Sequence, residues 1–117
     1  MTAAKKILDE KFVKSLVPLG EMDPERFNQL PAYYRVDEYS AGSTIFSAGN
    51  NDNRTYWLVS GQLSLEYIHG NVRTITANTT QARYALIPEQ PRNASAIAKS
   101  PVTILSIDSE LLEEFIH

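Results

Sequence analysis

The sequence predicts a mainly β domain, an antiparallel β-roll or jelly roll flanked by N-terminal helices and a C-terminal helix. Three observations carry that expectation. From Tyr33 onward the apolar residues switch from helical spacing to short alternating runs. Clusters rich in Gly and Asn separate those runs, as turns between short strands require. Three-to-four spacing of large apolar residues is confined to the two ends of the chain.

The elements follow in order. Ile7, Leu8, Phe12, Leu16 and Val17 fall along one face of a helix over residues 3–17, and Pro18 and Gly20 stop it. A second helix starts with Asp23 as N-cap and Pro24 at the first helical position. Phe27 and Leu30 face inward and Pro31 closes it, ending a helical lead-in over 1–32. The β-roll then occupies 33–107. Its expected strands are Tyr33–Tyr39, Thr44–Ser47, Thr55–Ser60, Gln62–Ile68, Val72–Thr76, Ala94–Lys99 and Val102–Ile107. Turns fall at Ala41–Ser43, Gly49–Asn53, Gly61, His69–Asn71 and Ser100–Pro101. Asp108 or Ser109 caps a final helix over 108–117, with Leu111, Leu112, Phe115 and Ile116 as its apolar residues.

Length and composition bound the function. At 117 residues the chain is one domain, large enough to bury roughly two-thirds of its unfolded surface. Its net charge of −3 argues against direct coating of nucleic acid or of an anionic membrane. The absence of cysteine excludes disulfides, thiolate zinc sites and cysteine nucleophiles. With His69 in a turn and His117 at the end, neither a histidine-rich metal centre inside the roll nor a serine–histidine–acid triad can assemble. A non-enzyme is expected, with no required cofactor. Neither a secretory signal nor a stretch long enough to span a bilayer is present, so a cytoplasmic protein without a membrane partner is the default.

Three segments together resemble the cyclic-nucleotide-binding domain family, from about Leu16 to Phe115. Ala41-Gly-Ser-Thr-Ile-Phe-Ser-Ala-Gly49 resembles the family's first strand and turn. Tyr56-Trp-Leu-Val-Ser-Gly61, with Leu63–Ile68 and Gly70, resembles its central hairpin. Gln81–Ala96 resembles its phosphate-binding cassette, which runs from Phe-Gly-Glu through Leu-Ala-Leu to Pro-Arg-x-Ala-Ser/Thr. In the family a short cassette helix offers backbone N–H groups to the cyclic phosphate. The arginine binds that phosphate, the glutamate accepts from the ribose hydroxyl, and the serine or threonine reaches phosphate or base.

The resemblance therefore implies ligand contacts from Arg92, Asn93, Ala94 and Ser95 at one end of the cassette, and from Arg83, Tyr84 and Ala85 at the other. Pro91, Arg92, Ala94 and Ser95 match the motif, and Tyr84-Ala85-Leu86 stands for Leu-Ala-Leu. Gln81, Ala82 and Arg83 replace Phe-Gly-Glu, so a ribose acceptor becomes a donor that cannot accept. Pro88 shortens or bends the cassette helix. Arg92 is either the phosphate ligand or a surface arginine paired with Glu89. Arg83 either joins Arg92 on an anion or bridges Glu89 or another acid.

The remaining candidates have plainer roles. Tyr56 and Trp57 alternate, placing one in the core and the other on the sheet surface. Asn50–Asn53 forms a turn, since it lacks the spaced acids of a calcium loop. Asp37-Glu38 and Glu113-Glu114 are solvated charges.

The expected function is regulatory ligand sensing of the cyclic-nucleotide-binding type, with cAMP, cGMP or another small anion as ligand. The sequence stops within an amphipathic helix, which suggests part of a longer signalling protein. Its partner would be an output domain of the parent chain, or a second copy through the terminal helices. The alternative is a degenerate copy that binds no nucleotide and works as an interaction or dimerisation module.

Overall fold

In the computed structural model, which describes residues 8–88 and 91–116, seven strands pair into two antiparallel sheets that enclose a roll. The strands are β1 (Arg35–Tyr39), β2 (Thr44–Phe46), β3 (Arg54–Ser60), β4 (Gln62–Tyr67), β5 (Val72–Thr76), β6 (Ala94–Ala98) and β7 (Val102–Asp108). One sheet has the order β1-β7-β3 and the other β2-β6-β4-β5. Helices α1 (Glu10–Lys14), α2 (Pro24–Gln29) and α3 (Ser109–Ile116) lie outside the β1-β7-β3 sheet.

The central strand β7 is buried at every position from Val102 to Ser106 and again at Ile107, because both of its faces are covered. Val102 and Ile104 face the interior of the roll, while Leu105 and Ile107 face the helices. The same alternation governs β3. Tyr56 and Leu58 pack inside the roll, and Trp57 packs against Leu16, Leu19 and Leu30 on the helical side. Tyr56 is 7% exposed and Trp57 0%, which corrects the expectation that one ring lies on the sheet surface. A sheet covered on both faces has no surface side for either residue.

Element limits differ from the sequence expectation for local reasons. The first helix ends at Lys14, not at residue 17: Ser15 Oγ donates back to Phe12 O, and the Val17 N–H leaves the helix for Arg83 O at 2.8 Å. Val17 also precedes a proline, a position that disfavours the α region. The expected start of that helix at residue 3, and Ile7 with it, lies outside the described residues. Strand β1 begins at Arg35 because the N–H groups of Tyr33 and Tyr34 both bond Leu30 O in the 3-10 turn Leu30–Ala32. At the Gly61 turn between β3 and β4, φ is +88° and a Cβ would meet Pro101 O at 2.2 Å, so only glycine fits.

The final helix is capped by Asp108, whose Oδ1 accepts the Leu111 N–H at 3.0 Å. It packs inward: Leu112 is buried, Phe115 meets the Tyr33 ring edge-on at 5.3 Å, and Arg26 donates to Glu114 O. Leu112, Phe115 and Ile116 thus lean on the N-terminal helical layer.

Candidate ligand cavity

Residues 81–88 and 91–95 lie at the mouth of the roll. They open with a single 3-10 turn, Gln81–Arg83, and residues 84–88 are not helical. The turn is tied down at both ends. Leu86 N–H donates to Tyr56 O at 2.8 Å, and Arg92 exchanges backbone bonds with the 49–50 loop through Arg92 N–H to Asn50 O and Gly49 N–H to Arg92 O. Between these ties Ile87 sits at φ +40°, directly before Pro88. A β-branched residue at positive φ is strained, and it persists only where its surroundings hold it.

Arg92 is what holds it. Its side chain is fully buried, the guanidinium lying 4.5 Å from the Phe46 ring centroid and 5.1 Å from that of Tyr56. One terminal nitrogen donates to Ile87 O and, at 3.4 Å, to Leu86 O. The other donates to Arg54 O and to Asp52 Oδ1, the latter at 2.6 Å. This is neither a surface arginine nor an open phosphate ligand. Its fork is committed to one carboxylate and three carbonyls, and the carbonyls of Leu86 and Ile87 belong to the cavity wall.

Asp52 was not singled out in the sequence as a partner. It lies in the Asn50–Asn53 turn, where its Oδ1 also accepts the Arg54 N–H at 3.1 Å. Forty positions separate it from Arg92 in the chain, and only the backbone pairing of the 49–50 loop with Arg92 brings them together. No local pattern in the sequence signals such a contact. The burial around it pushes the Tyr56 hydroxyl above the ordinary tyrosine range, and the charge of Asp52 adds to that while Arg92 opposes it.

The other sequence candidates divide. Tyr84, Ala85 and Asn93 line a cavity of about 470 Å³ between this segment and the inner faces of β4 and β5. Leu65, Tyr67, Arg73 and Ile75, with Asn93 beside them at the entry to β6, form the strand wall, and Gln81 and Tyr84 through Pro88 form the other. Ala94 is fully buried on the inner face of β6 and does not line the cavity. Ser95 uses its hydroxyl to accept the Ala48 N–H at 2.8 Å. Arg83 points elsewhere: its Nε donates to Ser15 O at 2.8 Å, and it borders a separate depression against Phe12 and Leu16. It therefore ties the segment to the helical layer by its side chain as well as by its carbonyl. The volume lies within the range of small-molecule pockets, and its lining mixes apolar and polar groups in comparable share. No carboxylate stands among the described residues that line it.

Comparison with known proteins agrees with this architecture. The family model for the cyclic nucleotide-binding domain matches residues 36–117. Among solved structures, cAMP-bound PfPKA-R superposes with a TM-score of 0.73 at 17% identity, covering 91% of this chain and 38% of that one. The regulatory domain of Toxoplasma gondii PKA with cAMP gives 0.71 at 17% identity, over 91% of this chain and 43% of that one. The sensor domain of the transcriptional regulator DNR from Pseudomonas aeruginosa gives 0.74 at 15% identity, over 92% and 79%. The chain spans less than half the length of the two kinase regulatory chains.

Proposed function

The chain belongs to the cyclic-nucleotide-binding domain family, and from that premise we propose that it senses a small anionic ligand of cyclic-nucleotide type in the cavity between the cassette and β4–β5. The observation that carries this is the cavity itself, retained at about 470 Å³ although Phe-Gly-Glu is replaced. Tyr84, Ala85 and Asn93 contact the ligand in this reading. Arg92 supports the wall from beneath, and Arg83, Ala94 and Ser95 serve structure. The ligand state would pass to an output domain through α3, which follows β7 directly and rests on the helical layer. Such a switch requires the ligand to bind two arrangements of that layer unequally.

A second reading, an interaction module that binds no nucleotide, is favoured by one specific feature. The guanidinium that would meet the phosphate already has four acceptors, and no carboxylate among the described cavity residues can accept from a ribose.

Calorimetric titration of cAMP and cGMP against the native chain and Ala85→Phe separates the two. Saturable binding is expected in the native chain, with about 2.7 kcal/mol of stabilisation at a hundredfold excess over Kd. Ala85 both lines the cavity and packs against the helical layer, and Ala85→Phe should abolish binding, with circular dichroism confirming that the variant remains folded. Binding that survives Ala85→Phe would move the ligand out of the cavity. No binding of either nucleotide at millimolar concentration would leave the interaction module standing alone.

A further inference from the structure

We propose that the anion-recognising cation of this cavity is Arg73 on β5, and that its ligand is a small organic anion bearing a hydroxyl or amino donor for Asn93. The inference rests on the ligand-sensing reading above and adds to it the end at which the charge binds.

An anionic group entering the cavity needs a cation, and the cassette offers none. Arg92 is enclosed and engaged, and Arg83 is turned to Ser15. Arg73 is the cationic side chain among the described lining residues. Its placement follows from strand register. Arg73 pairs with Leu65 of β4, and Ile75 with Leu63, so Arg73 shares the inner face with three buried aliphatic residues. The neighbouring Val72 and Thr74 take the outer face of the edge strand, and Arg73 is exposed as they are, at the open edge of the cavity. Among the described residues the Arg73 side chain makes no hydrogen bond or ion pair, in contrast to Arg92. A planar guanidinium fork at the rim of a pocket of mixed polarity matches a phosphate or carboxylate.

Asn93, immediately before β6 and bonded to Ile68 beyond β4, supplies an independent observation two strands away from Arg73. It lines the same cavity, and its side-chain oxygen is buried without a hydrogen-bond partner among the described residues. A buried acceptor left unpaired is costly, and a donor on a ligand would satisfy it. Between the two groups run Leu65, Ile75, Leu86 and Ile87, which suit an apolar or planar body. The ligand then lies with its charge toward the strands, away from the cassette.

An inward-facing charge on an edge strand also discourages pairing with another sheet, and the test must separate that role from ligand binding. Cyclic AMP and adenosine, titrated by calorimetry against the native chain, Arg73→Gln and Arg73→Lys, do so. The native chain should prefer cyclic AMP over adenosine by roughly ten- to hundredfold, the worth of a charge-assisted contact. Arg73→Gln should abolish that preference, Arg73→Lys should restore part of it, and the ligand-free thermal midpoint should not move in either. If Arg73→Gln leaves cyclic AMP affinity unchanged while Ala85→Phe removes it, Arg73 is not the anchor and the sensing function stands. Self-association of Arg73→Gln with unaltered affinity would show edge protection alone and overturn the proposal. Failure of the native chain to bind either probe at millimolar concentration would overturn both the anchor and the sensing function.

Discussion

The two faces of the β1-β7-β3 sheet are closed by different physics. On the helical face Trp57, Leu105 and Ile107 meet Val13, Leu16, Leu19 and Leu30. Its polar demands are small: the Trp57 indole N–H donates to Val17 O at 3.0 Å, and Tyr34 Oη accepts the Leu8 N–H at 2.8 Å. On the roll face a buried guanidinium sits among Phe46, Tyr56, a carboxylate and backbone carbonyls. The first face is held by shape and tolerates swaps that conserve volume. The second is held by a buried charge whose carboxylate partner is still 24% exposed, and it tolerates less. The cavity itself lies against the other sheet, but Arg92 holds the carbonyls of Leu86 and Ile87 beside it, so stability and site geometry share a residue.

Removing that residue is the largest available perturbation. Arg92→Ala leaves Asp52 without its cation, strips three carbonyls of their donor and empties space between two rings. A loss of about 3–5 kcal/mol is expected in urea unfolding. On the helical face Trp57→Phe keeps most of the ring volume and unpairs only Val17 O, so about 1–3 kcal/mol is expected there. Reversal of that order would show that the guanidinium is not the principal tie of the roll. It would also place the strain at Ile87 under some other restraint.

How much of this was legible in sequence follows the same division. Alternation and turn residues locate every strand, since a period of two and a positive-φ glycine are local properties. The cassette motif locates the mouth of the roll for the same reason. Local pattern does not say which way Arg92 faces. Its direction is fixed by Asp52 and Arg54 O, brought close by tertiary pairing of loops far apart in the chain. Arg83 illustrates the same limit. Both of its expected partners were acids or anions, whereas the structure gives it a backbone carbonyl at the end of α1, and carbonyls leave no mark on a sequence. Arg73 is exposed, and only the register with Leu65 shows that it stands on the cavity side of β5.

The smallest effect probes the same asymmetry through pH. Burial, reinforced by Asp52, raises the Tyr56 hydroxyl above its ordinary value near 10. Above that ordinary value the unfolded chain releases the Tyr56 proton while the folded chain still holds it. The folded state then binds more protons, and stability must fall as pH rises through the unfolded value toward the folded one. Below it both states are neutral at Tyr56 and the group contributes no slope. Unfolding free energy of the native chain, followed from about pH 8 to about pH 11, should therefore fall more steeply at the alkaline end than that of Tyr56→Phe. The variant keeps the ring beside Phe46 and Arg92, so packing largely cancels in the comparison. Parallel profiles would mean that the roll face does not close around the Tyr56 hydroxyl, and would weaken the contrast with the helical face.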